Sequence, residues 1–316
     1  MHCVSTHKKL NTMKPTLIYT FLLFSVASCA CLKPNDAFVQ YEEIVLEDTL
    51  KPAIEDIEPW PQSKSEGLDL VRRIECPEPS EDTRNNLIIS KCDDTYGTNY
   101  FIEWDCQKRA QRWTAFQMYA GNAVRNVRRS GDDAWHEDDQ IPQKYRTTYA
   151  DHYQNGYDRG HLIASADRLE SREMNRQTFC YSNVHPQLNV LNAGIWMEME
   201  EKLRSWNNDQ FRDTLYVVKG GTIDNDAQIL EITPAGLIVP KYFFMAILCL
   251  KDGKYKAMAF WIEHRQKYTT ADHKLRNHVF TIDQLETYTG IDFFCNLPDE
   301  VEDDAEGEVT LSEWGM

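Results

Sequence analysis

The side chains with the clearest chemical potential are four neighbours, Asp158, Arg159, Gly160 and His161. A carboxylate beside a histidine can fix the tautomer of the imidazole and raise its basicity. An arginine at the same place can hold a phosphate through two parallel hydrogen bonds, and a glycine permits backbone geometry that other residues resist. The surrounding residues 156–168 predict a turn-like context. Taken alone, four residues are equally compatible with a surface loop that carries scattered charges.

A second informative stretch covers residues 178–200. Asn192 stands directly before an amphipathic run, and Glu200 follows eight residues later. On an ideal helix this separation gives about 12 Å of rise and about 80° of rotation, so the two side chains would face one cleft without touching. The alternative is that Asn192 is an ordinary helix N-cap and that Glu200 belongs to a charged surface.

The two stretches together resemble the DNA/RNA non-specific endonuclease family, one of the ββα-metal (His-Me finger) nuclease families. That family carries Asp-Arg-Gly-His, then Ser-Asn-x-x-Pro-Gln, then Asn-x-Gly-x-Trp-x-x-(Leu/Met)-Glu. The three motifs appear here, in the same order, at residues 158–161, 182–187 and 192–200. The resemblance extends over about residues 85–297. One departure is Ala164, where family members often carry proline.

The resemblance implies a role for each motif residue. His161 would be the general base that takes a proton from the attacking water. Asn192 would be the only direct protein ligand of a Mg²⁺ or Mn²⁺ ion, and Glu200 would hold a water of that ion. Arg159 would contact phosphate near the metal, and Asp158 would support the local geometry. An upstream arginine is also expected, with Arg128, Arg129 and Arg146 as candidates.

The activity implied by the resemblance is hydrolysis of phosphodiester bonds in DNA and RNA, without base specificity, to give 5′-phosphate ends. The alternative is a catalytically silent envelope protein that binds nucleic acid on the same scaffold. The acidic flanks favour that alternative, whereas the intact His161, Asn192 and Glu200 count against it. A zinc hydrolase is a weaker option, because no ligand spacing supports a zinc site.

The net charge of −16 opposes binding to a polyanion, but it is unevenly distributed. Residues 1–82 carry −6 and residues 299–316 carry −8, which leaves −2 for the rest of the chain. Phosphate binding needs local positive charge, and a near-neutral middle is compatible with a basic cleft. A hydrophobic content of 42% with 11% aromatic residues excludes a disordered chain.

The N-terminal residues predict export. The apolar run at residues 17–27 follows several lysines and is too short to span a bilayer, which is typical of a signal peptide. Val26-Ala27-Ser28-Cys29 resembles a bacterial lipobox, so residues 1–28 would be removed and Cys29 acylated, anchoring an envelope lipoprotein to a membrane. The alternative is an ordinary signal peptide and a secreted protein. Neither disulfide pairing nor oligomeric state follows from the sequence.

The remaining segments divide into three parts. Residues 29–82 are acidic and contain several prolines, which indicates a tether with a short helix around residues 41–50. Residues 83–298 would form the nuclease domain. The acidic residues 299–316 are interpreted as a solvated, disordered tail or, less favoured, as a charge decoy over the cleft.

The elements that must position the motif residues are mostly strands. Aromatic and β-branched runs predict strands, and an apolar stripe predicts a helix at residues 193–206. Thr281 begins a capping box for a further helix that Gly290 would end, and residues 130–156 read as a long surface loop. The expected fold class is α+β, with a mainly antiparallel central sheet, flanking helices and a ββα-metal motif. The predicted strands are residues 99–105, 113–119, 214–219, 237–250 and 256–262, with a hairpin turn at Asp252-Gly253.

Overall fold

A computed structural model describes residues 72–316 of the chain. The predicted signal peptide, Cys29 and the predicted helix at residues 41–50 lie outside the described residues. In the part that is described, no helix has both the length and the apolar character needed to cross a membrane.

The described residues form eleven strands and five α-helices, which are joined by turns, short 3₁₀ helices and loops. The strands are β1 (Asn86–Asp93), β2 (Gly97–Asp105), β3 (Ala110–Tyr119), β4 (Asp158–His161), β5 (Val184–Gln187), β6 (Thr214–Gly221), β7 (Ile229–Ile232), β8 (Ile238–Pro240), β9 (Tyr242–Lys251), β10 (Lys254–Glu263) and β11 (Val279–Phe280). The α-helices are α1 (Tyr149–His152), α2 (Arg172–Gln177), α3 (Met197–Trp206), α4 (Ile282–Thr289) and α5 (Asp299–Glu306). A π-helical turn, Leu191–Trp196, leads directly into α3.

The centre of the fold is a seven-stranded antiparallel sheet in the order β1-β2-β3-β6-β9-β10-β11. Two small antiparallel pairs, β4-β5 and β7-β8, lie outside it. Neighbours in the chain mostly pair directly, for example β9 and β10 through their two-residue turn, which confirms the predicted hairpin. The expected α+β class with a mainly antiparallel sheet is therefore what the chain forms.

Both faces of the sheet are covered, so the central strands are apolar without alternation. In β9, Met245 and Ile247 pack into a first core, whereas Phe244 and Ala246 pack into a second core on the opposite face. Successive side chains of a strand point to opposite faces, which separates the two sets. The first core includes Leu162, Trp196, Met199, Leu203 and Trp314. The second includes Cys76, Ile282, Leu285, Phe293 and Ala305.

The predicted helix boundaries are largely correct. Thr281 and Gln284 exchange the two hydrogen bonds of a capping box at the start of α4. Gly290 ends that helix in the left-handed region, with φ of 68°, where a Cβ would be unfavourable. The predicted helix at residues 193–206 is α3 together with the end of the π-helical turn.

The long loop at residues 130–156 is more deeply packed than a surface loop. Ile141 is fully buried in the first core, and the carboxylate of Asp138 accepts a hydrogen bond from the buried Lys91 at 2.6 Å. The segment also contains α1 and short 3₁₀ turns. These contacts fix one side of the loop against the sheet.

The interpretation of residues 299–316 as a solvated tail is wrong. Ala305 on α5 is buried in the second core, and Trp314 is 1% exposed in the first. The ring of Trp314 lies edge-on against Trp206 at 4.9 Å, and its carbonyl accepts a hydrogen bond from the Trp206 indole at 2.9 Å. In the sequence, the many acidic residues of this segment obscure the few apolar residues that are buried in the structure. At the other end, Glu75 and Cys76 are also fully buried, inside the predicted tether.

Trp314→Ala tests this packing. We expect a loss of about 3–5 kcal/mol in the free energy of unfolding, because a buried indole is removed and a cavity remains. Urea unfolding followed by circular dichroism measures the loss. The neighbouring Glu313 is exposed, so Glu313→Ala is the control and should leave stability nearly unchanged. Equal stability of the two variants would contradict this packing and support the interpretation of residues 299–316 as a solvated tail.

Candidate active site

The motif residues meet in one ββα unit, formed by β4, β5 and the π-helical turn that continues into α3. Asp158 pairs with Gln187, and His161 pairs with Val184, in antiparallel register. The predicted turn-like context for residues 158–161 is therefore wrong: they form strand β4. The strand was not recognised because it has only four residues and most of them are polar, so no alternation of apolar residues marks it.

Gly160 allows β5 to lie close to β4. It is paired with His185, and a Cβ at position 160 would collide with the side chain of Gln187. Glycine is therefore required by close approach, since its φ is not in the left-handed region. Asn183, which precedes β5, is buried and bonds the carbonyls of Ile163 and Thr178, as expected for a structural residue.

Asn192 does not act as a helix N-cap. The N-cap position of the π-helical turn is Val190, which makes no side-chain capping bond. The Asn192 Nδ2 instead donates to Asp158 Oδ2 at 3.0 Å, and the same oxygen accepts from Asn189 at 2.9 Å. Gly194 has non-helical angles (φ −112°, ψ −116°), so the backbone departs from a regular helix just after Asn192. Asp158 thus orients the carboxamide, which fits its expected supporting role.

His161 ends β4 with its ring enclosed by aromatic side chains. Its carbonyl accepts a hydrogen bond from the Trp196 indole at 3.1 Å, which ties β4 to the π-helical turn. The ring lies 5.0 Å from Trp135 and edge-on to Phe179 at 5.3 Å, measured between centroids. The His161 Nε2 is buried and has no hydrogen-bond partner among residues 72–316.

The charges around His161 are positive. Burial, and then the charges of Arg129, Lys219 and Arg159, lower the pKa of His161 to about 3. The imidazole is therefore neutral near neutral pH, and the same positive charges weaken it as a base unless an anion offsets them.

Two arginines stand next to this imidazole. The guanidinium of Arg159 lies over the Trp135 ring at 4.8 Å. Arg129 lies over Phe179 at 5.2 Å and donates to Ser165 Oγ at 2.7 Å. Among the three upstream candidates, Arg129 is therefore the one placed beside the site. The guanidinium of Arg146 is instead bound by the backbone carbonyls of residues 139 and 141.

Glu200 lies on α3 in a network of charges. Its carboxylate is 3.2 Å from the ammonium of Lys219, a fully buried residue of β6. Arg204, one helical turn later, is 4.0 Å from Glu200 and 3.1 Å from Asp167. Burial raises the pKa of Glu200, and the charge of Lys219 opposes that rise. Glu200 therefore faces inward, rather than belonging to a charged outer surface.

Sequence reasoning missed Lys219 and Arg204 as members of this site. The sequence predicts only that Arg204 belongs to a helix and Lys219 to a strand. A signal was present for Lys219, because a lysine at the end of the apolar run Leu-Tyr-Val-Val is buried only if its charge is paired. The partner, Glu200, is 19 residues away, so the pairing depends on the tertiary fold.

Comparison with known proteins agrees with the motifs. The sequence pattern of the DNA/RNA non-specific endonuclease family matches residues 83–300. Nuclease C1 of Cunninghamella echinulata var. echinulata is 26% identical over 210 residues, which cover 63% of this chain and 81% of that protein. Mitochondrial endonuclease G of Bos taurus is 36% identical over 207 residues, which cover 63% of this chain and 68% of that protein.

The fold is also similar to a solved structure. The crystal structure of the EndoG/EndoGI complex contains a chain that matches this one with a TM-score of 0.59 and 20% identity, covering 69% of this chain and 90% of that one. At this identity the likeness concerns the fold. Since the family pattern spans most of the chain, this protein belongs to the DNA/RNA non-specific endonuclease family and is a nuclease.

Proposed function

We propose that this nuclease is a Mg²⁺-dependent endonuclease that cleaves DNA and RNA to 5′-phosphate products, with His161 as the general base. The observation that carries the proposal is the position of His161, with its ring enclosed by aromatic side chains, on the same ββα unit as Asn192. Trp196 bonds the backbone of His161, and Asp158 bonds the side chain of Asn192, so both residues are fixed to one rigid unit.

His161 would take the proton of the attacking water. A base must be unprotonated to act, and His161 is neutral at neutral pH. A bound phosphate diester would offset the positive charges that weaken His161 as a base. The packing of Trp135 and Phe179 around the ring restricts its orientation, so little reorganisation is needed when the substrate binds.

Asn192 has the donor chemistry that a Mg²⁺ ion requires. Its Nδ2 is bound to Asp158, and its Oδ1 accepts no hydrogen bond from residues 72–316, so a hard oxygen ligand is available. Glu200 would contribute a carboxylate in the outer shell, steadied by Lys219. When bound, Mg²⁺ or Mn²⁺ would stabilise negative charge on the phosphate and on the leaving oxygen.

Arg159 and Arg129 would bind the substrate phosphates. Both guanidinium groups lie over aromatic rings next to His161, and arginine can hold a phosphate through two parallel bonds. Contacts with the backbone carry no direct base information, so such a site would not select a sequence.

Replacement of His161 or Asn192 tests the mechanism. His161→Ala and Asn192→Ala should each lower the rate of nicking of supercoiled plasmid in Mg²⁺ by at least about 100-fold, because the base or the metal ligand is lost. Gel electrophoresis gives the rate, and phosphatase-dependent end labelling identifies 5′-phosphate ends.

His278→Ala is the matched control, since His278 is half-buried and bonds only the Asp272 carbonyl in a separate loop. It should retain the wild-type rate. Wild-type nicking without any divalent cation, or equal rates for wild type and His161→Ala, would refute the proposed mechanism.

The pH profile of kcat/KM tests the charge environment of His161. Because its pKa is lowered to about 3, the neutral base persists in acid, and activity should decline only well below pH 6.5. Arg129→Gln removes one positive neighbour, so the pKa rises and the acid limb should move to higher pH. The charges that act most on Glu200 are those of Lys219, Asp167 and Arg204, so the loss of Arg129 should move the titration of His161 more than that of Glu200. An acid limb that stays unchanged in Arg129→Gln would contradict this assignment.

We also propose export and acylation at Cys29, on the strength of the lipobox-like residues 26–29 alone. The full chain, produced in a bacterium fed with labelled palmitate, should carry the label in the membrane fraction. Cys29→Ser should be unlabelled and released. Label in Cys29→Ser, or an unlabelled wild type, would contradict the proposed acylation at Cys29.

A further inference from the structure

Three carboxylates lie close together where α4 approaches the last residue of α5. Asp283 and Glu286 lie on α4, Glu306 is the last residue of α5, and one oxygen of each lies within 4.8 Å of the others. Both helices pack on the second core, whereas the ββα unit packs on the first, so the cluster is on the opposite face of the sheet from His161. The proposed nuclease mechanism makes no use of it.

Glu306 is the unusual member of the cluster. It is only 4% exposed, and its Oε1 is buried without a hydrogen-bond partner among residues 72–316. In the same part of the chain, no salt bridge joins Glu306, Glu286 or Asp283 to a lysine or arginine. A buried carboxylate without a partner is costly, so an oxygen left in this state points to a ligand that completes the site.

The surroundings of Glu306 favour a cation. Further negative charge comes from Glu302 and Asp292, and α5 directs the negative end of its dipole at Glu306 without a basic residue in its last turn. The cluster therefore holds several carboxyl groups that repel one another when ionised.

We infer that Asp283, Glu286 and Glu306 bind a Ca²⁺ ion that clips α5 to α4. Calcium accepts six to eight oxygen ligands in a flexible geometry, and it takes carboxylates, backbone carbonyls and water together. Magnesium demands a near-ideal octahedron and is usually held by only one or two carboxylates, whereas this cluster offers three. The clip holds the segment that leads on to Trp314, so calcium stabilises the C-terminal part of the domain.

Thermal unfolding with added CaCl₂ tests the site. We use the Asn192→Ala protein, in which the proposed active-site ligand is absent, so that any effect belongs to the carboxylate cluster. Calcium at about 100 times its Kd should raise the Tm by about 5 to 10 °C. Isothermal calorimetry on the same protein should report one bound ion.

Glu306→Gln and Asp283→Asn, each in the Asn192→Ala background, should lose the shift. Asp304→Asn removes the same charge from an exposed position of α5 and should keep it. Asp283 is exposed, so its variant remains informative even if Glu306→Gln does not fold. No calcium-dependent shift in the Asn192→Ala protein, or a full shift in Asp283→Asn and Glu306→Gln, would overturn the inference. An equal shift with MgCl₂ would overturn the choice of calcium.

Discussion

The site depends on keeping one imidazole neutral among positive charges. His161 is enclosed by Trp135 and Phe179, and Arg129, Arg159 and Lys219 all act on it electrostatically. Protonation would add a further positive charge to a poorly solvated place, so the pKa of His161 is low. The same positive charges that disfavour protonation are those that a phosphate diester would neutralise. In the proposed mechanism, one arrangement would therefore serve both the base and the binding of an anionic substrate.

Two of these positive charges, those of Lys219 and Arg129, are stabilised by neighbouring side chains. Glu200 pairs with the buried Lys219, and Arg129 is bonded to Ser165 and lies over an aromatic ring. A buried lysine without its carboxylate would be strongly destabilising. Lys219 belongs to β6 in the middle of the sheet and Glu200 to α3, so the ion pair joins α3 to the central strand of the sheet.

The sequence predicted the motif residues better than their surroundings. The order and spacing of the motifs predicted that His161, Asn192 and Glu200 belong to one site, because order and spacing can be read directly from the chain. The strand that carries His161 was missed, since four polar residues show no alternation, and Lys219 was missed because its partner is distant in sequence. The packing of Trp314 was missed because the prediction for residues 299–316 rested on their acidic composition, which a single aromatic residue hardly changes. The central strands were predicted well, since long apolar runs buried on both faces leave a strong pattern.

The buried position of Trp314 also has a consequence for folding during synthesis. Trp314 contacts Trp206 and Phe211 in the first core, more than 100 residues earlier in the chain. A nascent polypeptide emerges from the ribosome with its N-terminal part first. The first core is therefore incomplete until synthesis has passed residue 314, so the segments made earlier cannot complete their packing before this residue emerges.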